Sequence, residues 1–169
     1  MIYLGIDPGL SGALAVLHIR EHGLPIQLDV FDMPILAIEV NGKVKRRVDL
    51  PGLSWYLETP SLIKANRRET IALAVCENPN SMPEQGTVSA FNFGYTCGAT
   101  HGILAALGIP HRLVRPAAWK RAMGLTADKD ATRYIASQRF PAFSHLWARK
   151  KDDGRAEAAL LALYASTLT

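Results

Sequence analysis

Three stretches of the chain are apolar almost without interruption, and they constrain its fold more than any other feature. They are IYLGID at 2–7, GALAVLHI at 12–19 and TIALAVC at 70–76. Short apolar runs bounded by Pro, Gly and Asn are typical of buried strands. The first two flank the turn sequence PGLSG, so we expect them to pair as a hairpin.

The order of the remaining patterns predicts the fold class. A third strand is expected at 26–33, and a further strand at 110–114. The Asn-Gly pair in VNGK predicts a tight turn inside a small β excursion at 35–48. Helical patterns cover 51–65, 85–107, 116–123, 128–139 and 153–167. Strands followed by alternating helices and strands predict an α/β fold, with a mixed sheet flanked by helices.

Composition excludes several classes of protein. With 49% hydrophobic and 20% charged residues, the 169-residue chain is expected to fold as one domain, 1–169, rather than to be disordered. No apolar run approaches the roughly 20 residues of a membrane span, and no signal-peptide pattern opens the sequence. We therefore expect a cytoplasmic protein in which Cys76 and Cys97 are buried free thiols. A net charge of +4 permits nucleic-acid binding without establishing it.

Carboxylates follow the apolar segments at positions that the fold class would bring together. Asp7 ends the first strand, and Glu77 ends the strand at 70–76. In the segment KKDDGRAEAALLALY, Asp153 and Glu157 are four residues apart, so they share one face of a helix. Ligands of open α/β sheets bind where the strands end. We expect these four acids to meet at one edge of the sheet.

Clustered carboxylates in apolar surroundings repel one another and lose hydration, which a divalent cation would offset. Mg²⁺ prefers oxygen ligands, and two ions roughly 4 Å apart can assist the displacement of a phosphodiester. The alternative is structural: an Asp after a strand often caps a turn, and Asp152 or Asp153 could cap the last helix.

Five segments, in order, resemble the RuvC-type Holliday junction resolvases, and most closely their bacteriophage and prophage branch. They are GIDPGLSGALAV, VCENP, SMPEQGTVSAFNFGYTCGATHGILAALGIP, VRPAAWKRAMGLTADKDA and DDGRAEAALLALY. The resemblance implies a ribonuclease-H-like fold with a mixed five-stranded sheet flanked by helices. It also implies a homodimer that nicks two strands of a four-way DNA junction with Mg²⁺, two ions per site, for which Mn²⁺ would substitute.

The resemblance assigns the acids one by one. Asp7 matches the aspartate of the family's first strand, Glu77 the glutamate of its central strand, and Glu157 the aspartate of its last helix. The family's fourth acid lies three residues before that aspartate, where this chain has Gly154. We predict that Asp153 takes its role because it shares the face of Glu157. Asp152, about 100° further round the helix, is the alternative.

Basic residues in the fourth segment are candidates for contacts with the DNA backbone. Lys120 and Lys129 match two lysines that the family places near DNA, and Arg115, Arg121 and Arg133 fall in the same stretch. The strip KVKRR at 43–47 is a second candidate for DNA contact. Each could instead be ordinary solvated surface.

Two features of the segment at 85–107 concern the junction centre and the dimer. The family presents an aromatic residue near here to the open bases of the junction. Phe91 or Phe93 could stack on those bases, although either ring could serve packing instead. Glycines at 94, 98 and 102 recur every four residues. They could permit close approach of a second subunit or packing of the helix on its own sheet.

Three other functions remain open at this level. The pattern of Asp7, Gly9, Ser11 and Gly12 also fits the phosphate loop of sugar kinases and actin-like ATPases, although we expect those to need two such domains. A nuclease of the same fold could act on RNA hybrids or other branched DNA. A non-catalytic DNA-binding or scaffold protein would have no need for an acidic cluster.

Overall fold

The computed structural model describes residues 1–19, 25–58, 71–78, 86–125 and 129–169. The strands in these ranges are Ile2–Ile6 (β1), Ala13–Ile19 (β2), Pro25–Asp32 (β3), Ile35–Val40 (β4), Lys43–Val48 (β5), Ile71–Glu77 (β6) and His111–Val114 (β7). The α-helices are Leu50–Glu58 (α1), Thr87–Ala106 (α2), Pro116–Ala122 (α3), Lys129–Arg139 (α4) and Asp153–Ser166 (α5). Two short 3₁₀ helices, Pro141–Trp147 and Lys150–Asp152, precede α5 and were not expected from the sequence.

Five strands form one mixed sheet in the order β3-β2-β1-β6-β7. The strands β1, β2 and β3 are antiparallel neighbours, whereas β6 runs parallel to both β1 and β7. This confirms the predicted mixed five-stranded sheet. The remaining strands, β4 and β5, pair only with each other in a hairpin. Its turn residues Asn41 and Gly42 both have positive φ, as a tight Asn-Gly turn requires.

Helices cover both faces of the sheet, and strand alternation sorts the core into two clusters. On β1, Tyr3 belongs to the cluster that includes α3, α4 and α5, whereas Ile2, Leu4 and Ile6 belong to the cluster that includes α1 and α2. Cys76 and Cys97 are buried and free. No helix among the described residues is long and apolar enough to cross a membrane. The predicted helix at 51–65 is observed as α1, and residues 59–65 lie outside the described ranges.

The last helix, α5, lies unusually close to the central strand. A Cβ on Gly5 would lie 2.0 Å from the backbone oxygen of Ala158 and 2.3 Å from the nitrogen of Ala162. At the N-terminal end of α5, a Cβ on Gly154 would lie 2.3 Å from the backbone oxygen of Ser11. The absence of two side chains therefore brings the start of α5 onto the turn that follows β1.

We expect Gly5→Ala to destabilise the fold by at least about 2 kcal/mol, because the new methyl group would meet backbone atoms that cannot rotate away. The matched control is Gly86→Ala, immediately before α2, where an added Cβ has nothing within 4 Å. That change should cost no more than about 1 kcal/mol, because Ala is only modestly less favourable than Gly at a helix N-cap. Denaturant unfolding measures both, and equal effects would contradict the close packing of α5 on β1.

Candidate active site

The first two acids leave the sheet side by side. Ile6 on β1 is in register with Cys76 on β6, so Asp7 and Glu77 are the next residues along two parallel neighbours. Tyr3 lies four residues before Asp7, and Val75 lies two residues before Glu77, so each is on the same face of its strand as the acid. Both belong to the core cluster that is packed against α5. The predicted meeting of these two acids at one edge of the sheet is therefore observed, on the face that α5 covers.

Asp7 is held by the turn that follows it. The N–H of Gly9 donates to Asp7 Oδ1 at 3.1 Å, and the N–H of Asp7 donates to the oxygen of Ala13 at 3.0 Å. Burial raises the pKa of Asp7 to about 7. The hydrogen bond from Gly9 opposes this rise in pKa, and the charges of the three other candidate acids, Glu157, Glu77 and Asp153, add to it. Asp7 therefore carries the electrostatic cost expected of clustered carboxylates.

Glu77 is buried and has a partner that the sequence did not suggest. The indole Nε1 of Trp119, itself fully buried, donates to Glu77 Oε1 at 2.7 Å. Burial raises the pKa of Glu77, Glu157 adds to the rise, and Trp119 and Lys120 oppose it. The only available signal for Trp119 was its place beside Lys120 in PAAWKR. The hydrogen bond fixes one carboxylate oxygen of Glu77 and leaves the second without this partner.

The other two acids project from the first two turns of α5. Asp153 is the first residue of the helix, and Glu157 lies one turn further on. Both line the same cavity as Asp7. Lys120 Nζ donates to Glu157 Oε1 at 2.7 Å and lies 5.5 Å from the ring centre of Trp119. Two consecutive residues of α3 thus contact two different acids of the site.

Asp152 faces other partners. Its buried carboxylate accepts two hydrogen bonds from the guanidinium of Arg149, each 2.9 Å long, and one from the Arg149 N–H at 3.1 Å. These bonds lower the pKa of Asp152. It does not line the cavity that holds Asp7, Asp153 and Glu157. The family's usual position for a fourth acid, Gly154, has no room for a side chain because Ser11 lies against it.

The cavity has a volume of about 390 Å³. Asp7, Asp153 and Glu157 line it together with the turn at 8–12. Two arginines of β5, Arg46 and Arg47, line it as well. The residues that α2 contributes to the lining are Ser89, Asn92, Phe93, Tyr95 and Thr96. Acidic, basic, polar and aromatic residues thus line one space.

The remaining candidates for DNA contact are distributed around this cavity. Lys120 lies inside the acid cluster, and Arg115 is exposed immediately before α3. Lys129 begins α4, but its side chain lies outside the described part of the chain. Phe93 is partly buried in the cavity lining, whereas Phe91 is 73% exposed on α2.

The two other arginines of the basic segment lie at the surface or in an ion pair. Arg121 is exposed, and Arg133 forms an ion pair with Asp130.

The three glycines of α2 are open to solvent. A Cβ added at Gly94, Gly98 or Gly102 would have nothing within 4 Å. Packing of α2 on its own sheet therefore does not explain why these three residues are glycine.

The donor atoms suit a hard divalent cation, because the four candidate acids offer only carboxylate oxygens. Among the described residues, no three His, Cys, Asp or Glu side chains converge closely enough to form a metal site as they stand. The Lys120 ammonium instead lies on Glu157. The raised pKa values of Asp7 and Glu77 indicate a cluster that a bound cation would stabilise.

The sequence and the fold of this chain are similar to those of known proteins. No protein-family model matches the chain. The Holliday junction resolvase MOC1, chloroplastic, of Chlamydomonas reinhardtii is 29% identical over 149 residues, which cover 80% of this chain and 17% of the relative. The chain thus spans about a sixth of the length of that relative.

Two solved structures share the fold across almost the whole chain. Thermus thermophilus RuvC in complex with a Holliday junction substrate superposes with a TM-score of 0.60 at 14% identity, covering 98% of this chain and 93% of RuvC. A second structure of Thermus thermophilus RuvC gives a TM-score of 0.59 at 17% identity, covering 100% and 98%. The predicted ribonuclease-H-like fold and the resemblance to RuvC-type resolvases are confirmed.

We expect Asp7→Asn to raise the melting temperature of the metal-free protein, with a gain that grows with pH. The pKa of Asp7 is about 7 in the fold against an ordinary 3.8, so ionisation costs more in the folded state. The penalty builds between about pH 4 and pH 7 and is complete above that range. The gain should be small near pH 4 and reach at least about 3 °C near pH 8, by calorimetry in EDTA.

The control is Glu58→Gln, which removes an exposed acid at the end of α1. Its effect should not follow the pH profile of Asp7→Asn. Mg²⁺ should stabilise the wild type more than the Asp7 variant. A gain that stays constant over the pH range would contradict a buried and repelled carboxylate at position 7.

Proposed function

We propose that this chain is a metal-dependent endodeoxyribonuclease that resolves Holliday junctions by paired phosphodiester hydrolysis. The observation that carries the proposal is the meeting of Asp7, Asp153 and Glu157 in one cavity, with Glu77 beside Asp7 on the next strand. An acidic cluster of this kind serves hydrolysis at phosphate and has no use in a pure DNA-binding protein. The likeness to a chloroplastic junction resolvase and the RuvC fold support this assignment.

The four acids would hold two Mg²⁺ ions, with Mn²⁺ as a substitute. The ions would supply an activated water and support the leaving 3′ oxygen. Asp7 and Glu77 contribute oxygens from the sheet edge, and Asp153 and Glu157 contribute oxygens from α5. Trp119 acts as a positioning residue, since its N–H fixes one oxygen of Glu77. Lys120 holds one oxygen of Glu157, so the other oxygen would be the one available to an ion, and the remaining N–H donors of Lys120 would meet a DNA phosphate.

Recognition of branched DNA would combine phosphate contacts with stacking on exposed bases. Lys120, Lys129 and Arg115 are the proposed phosphate contacts, which add affinity without sequence preference. Phe93, in the cavity lining, and Phe91, exposed on the same helix, are the candidates for stacking at the junction centre. The protein would act in the cytoplasm, where junctions are accessible.

Two symmetric cuts call for two active sites, so we propose a homodimer with twofold symmetry. The helix α2 provides a suitable surface, because Val88 and Tyr95 are large exposed hydrophobic residues. The open glycines on the same helix would let a second backbone approach closely. Light scattering at micromolar concentration tests this, and a monomer both free and on a junction would refute it.

The substrate is tested by one cleavage experiment in Mg²⁺. The wild-type chain should cut a four-way junction faster than a replication fork, plain duplex or RNA–DNA hybrid. Asp7→Asn should slow cutting by more than about a hundredfold, since even residues that only orient metal ligands can cost that much. Junction binding, measured by fluorescence anisotropy in Ca²⁺, should persist in the variant.

Several outcomes of that experiment would contradict the proposal. Faster cutting of the hybrid or the duplex would assign the chain to a ribonuclease-H-like nuclease with another substrate. Metal-dependent ATP hydrolysis without cutting would favour the actin-like and sugar-kinase alternative. Full activity in Asp7→Asn would remove Asp7 from the metal site.

The assignment of the fourth acid predicts opposite phenotypes for two neighbouring residues. Asp153→Asn should weaken Mn²⁺ binding, measured by calorimetry, and slow cleavage by more than about a hundredfold. Asp152→Asn should leave Mn²⁺ affinity unchanged and lower the melting temperature, because it weakens the bonds to Arg149. The reverse ranking would transfer the role to Asp152.

A further inference from the structure

The β4–β5 hairpin stands apart from the five-stranded sheet and exposes most of its length. Residues 43–47 of β5 are all exposed, and Val48 at its base is buried in the core. The N–H of Asp49 donates to the oxygen of Pro34 at 2.9 Å, which closes the base of the hairpin. An isolated two-stranded hairpin is marginally stable in water. Packing on the core therefore does not account for this hairpin.

The charge of the hairpin is almost entirely positive. Alternation along β5 places Lys43, Lys45 and Arg47 on one face and Arg46 on the other. None of these four cations forms an ion pair with a carboxylate in the described part of the chain. Cations two residues apart on a strand are about 6.6 Å apart, so the face forms a regular row of positive charge.

The base of this row opens into the candidate active site. Arg46 and Arg47 line the same cavity as Asp7, Asp153 and Glu157. Within the described residues no carboxylate pairs with either arginine, so both guanidiniums are available to a ligand in the cavity. A phosphodiester chain suits a cavity lined by both charges, since one phosphate can share metal ions with carboxylates while the next meets a guanidinium.

We propose that the β4–β5 hairpin binds the phosphodiester backbone of the DNA strand that is cut, next to the cleaved phosphate. Arg46 and Arg47 are positioning residues at the cavity, and Lys43 and Lys45 follow the same strand outward. An acidic protein segment fits less well, because Mg²⁺ sites built from protein carboxylates are usually completed by substrate phosphates and water. This inference rests on the proposed function, since it assigns the strand path through the same site.

The test compares Arg46→Ala/Arg47→Ala with Arg139→Ala, which removes an exposed arginine at the end of α4. Binding of a four-way junction is measured in Ca²⁺ over a series of salt concentrations. The double variant should bind at least about tenfold more weakly, and its salt slope should fall by about 2, one for each phosphate that an arginine neutralises. Arg139→Ala should keep the wild-type affinity and slope. Melting temperatures of both variants control for folding.

A double-mutant cycle then identifies the phosphate that the hairpin binds. Single methylphosphonate linkages, which remove the charge of one phosphate, are placed in turn on either side of the cut. A neutral linkage at the bound phosphate should slow the wild type, but it should have little further effect on Arg47→Ala. Equal effects of every linkage on wild type and variant would overturn the proposed strand path.

Failure of the inference and failure of the proposed function give different results. If the wild type cuts junctions and the double variant keeps its affinity and salt slope, only the role of the hairpin is overturned. If the wild type neither binds nor cuts branched DNA, the proposed function is overturned. A double variant that loses the dimer but keeps its salt slope would assign the hairpin to subunit contact and refute DNA binding.

Discussion

The close approach of α5 to β1 is the constraint on which the rest of the candidate site depends. Gly5 lets the helix backbone reach the central strand, and Gly154 lets the first turn of the helix lie on the turn after Asp7. Side chains at either position would push α5 outward. The same two glycines therefore set the distance between the acids of the sheet and those of the helix, Asp153 and Glu157, which links packing directly to chemistry.

Bringing the acids together has an electrostatic cost that neighbouring groups only partly offset. Burial and mutual repulsion raise the pKa values of Asp7 and Glu77. Against this, Trp119 donates to Glu77 and Lys120 pairs with Glu157. One short helix thus serves two acids, one with a neutral donor and one with a cation. Each donor holds a single carboxylate oxygen, so neither occupies the second oxygen of its acid.

Negative and positive side chains lie in different elements around the candidate site. The acids lie against the sheet, while the arginines of β5 line the same cavity from the hairpin. This order suits a polyanion that must be attracted to the surface and yet brought to an acidic site through bound cations. The modest net charge of +4 is therefore the sum over regions that include two strongly charged ones of opposite sign.

The sequence by itself determined the strands and the five α-helices and singled out Asp7, Glu77 and Glu157 as candidate acids, because apolar periodicity and carboxylates beside apolar runs are local signals. Tertiary structure alone decided what depends on contacts between distant segments. It brought Trp119 to Glu77, 42 positions away. It also carried the basic strip of β5 to the cavity, because only packing of the whole chain fixes where a hairpin lies relative to a sheet edge.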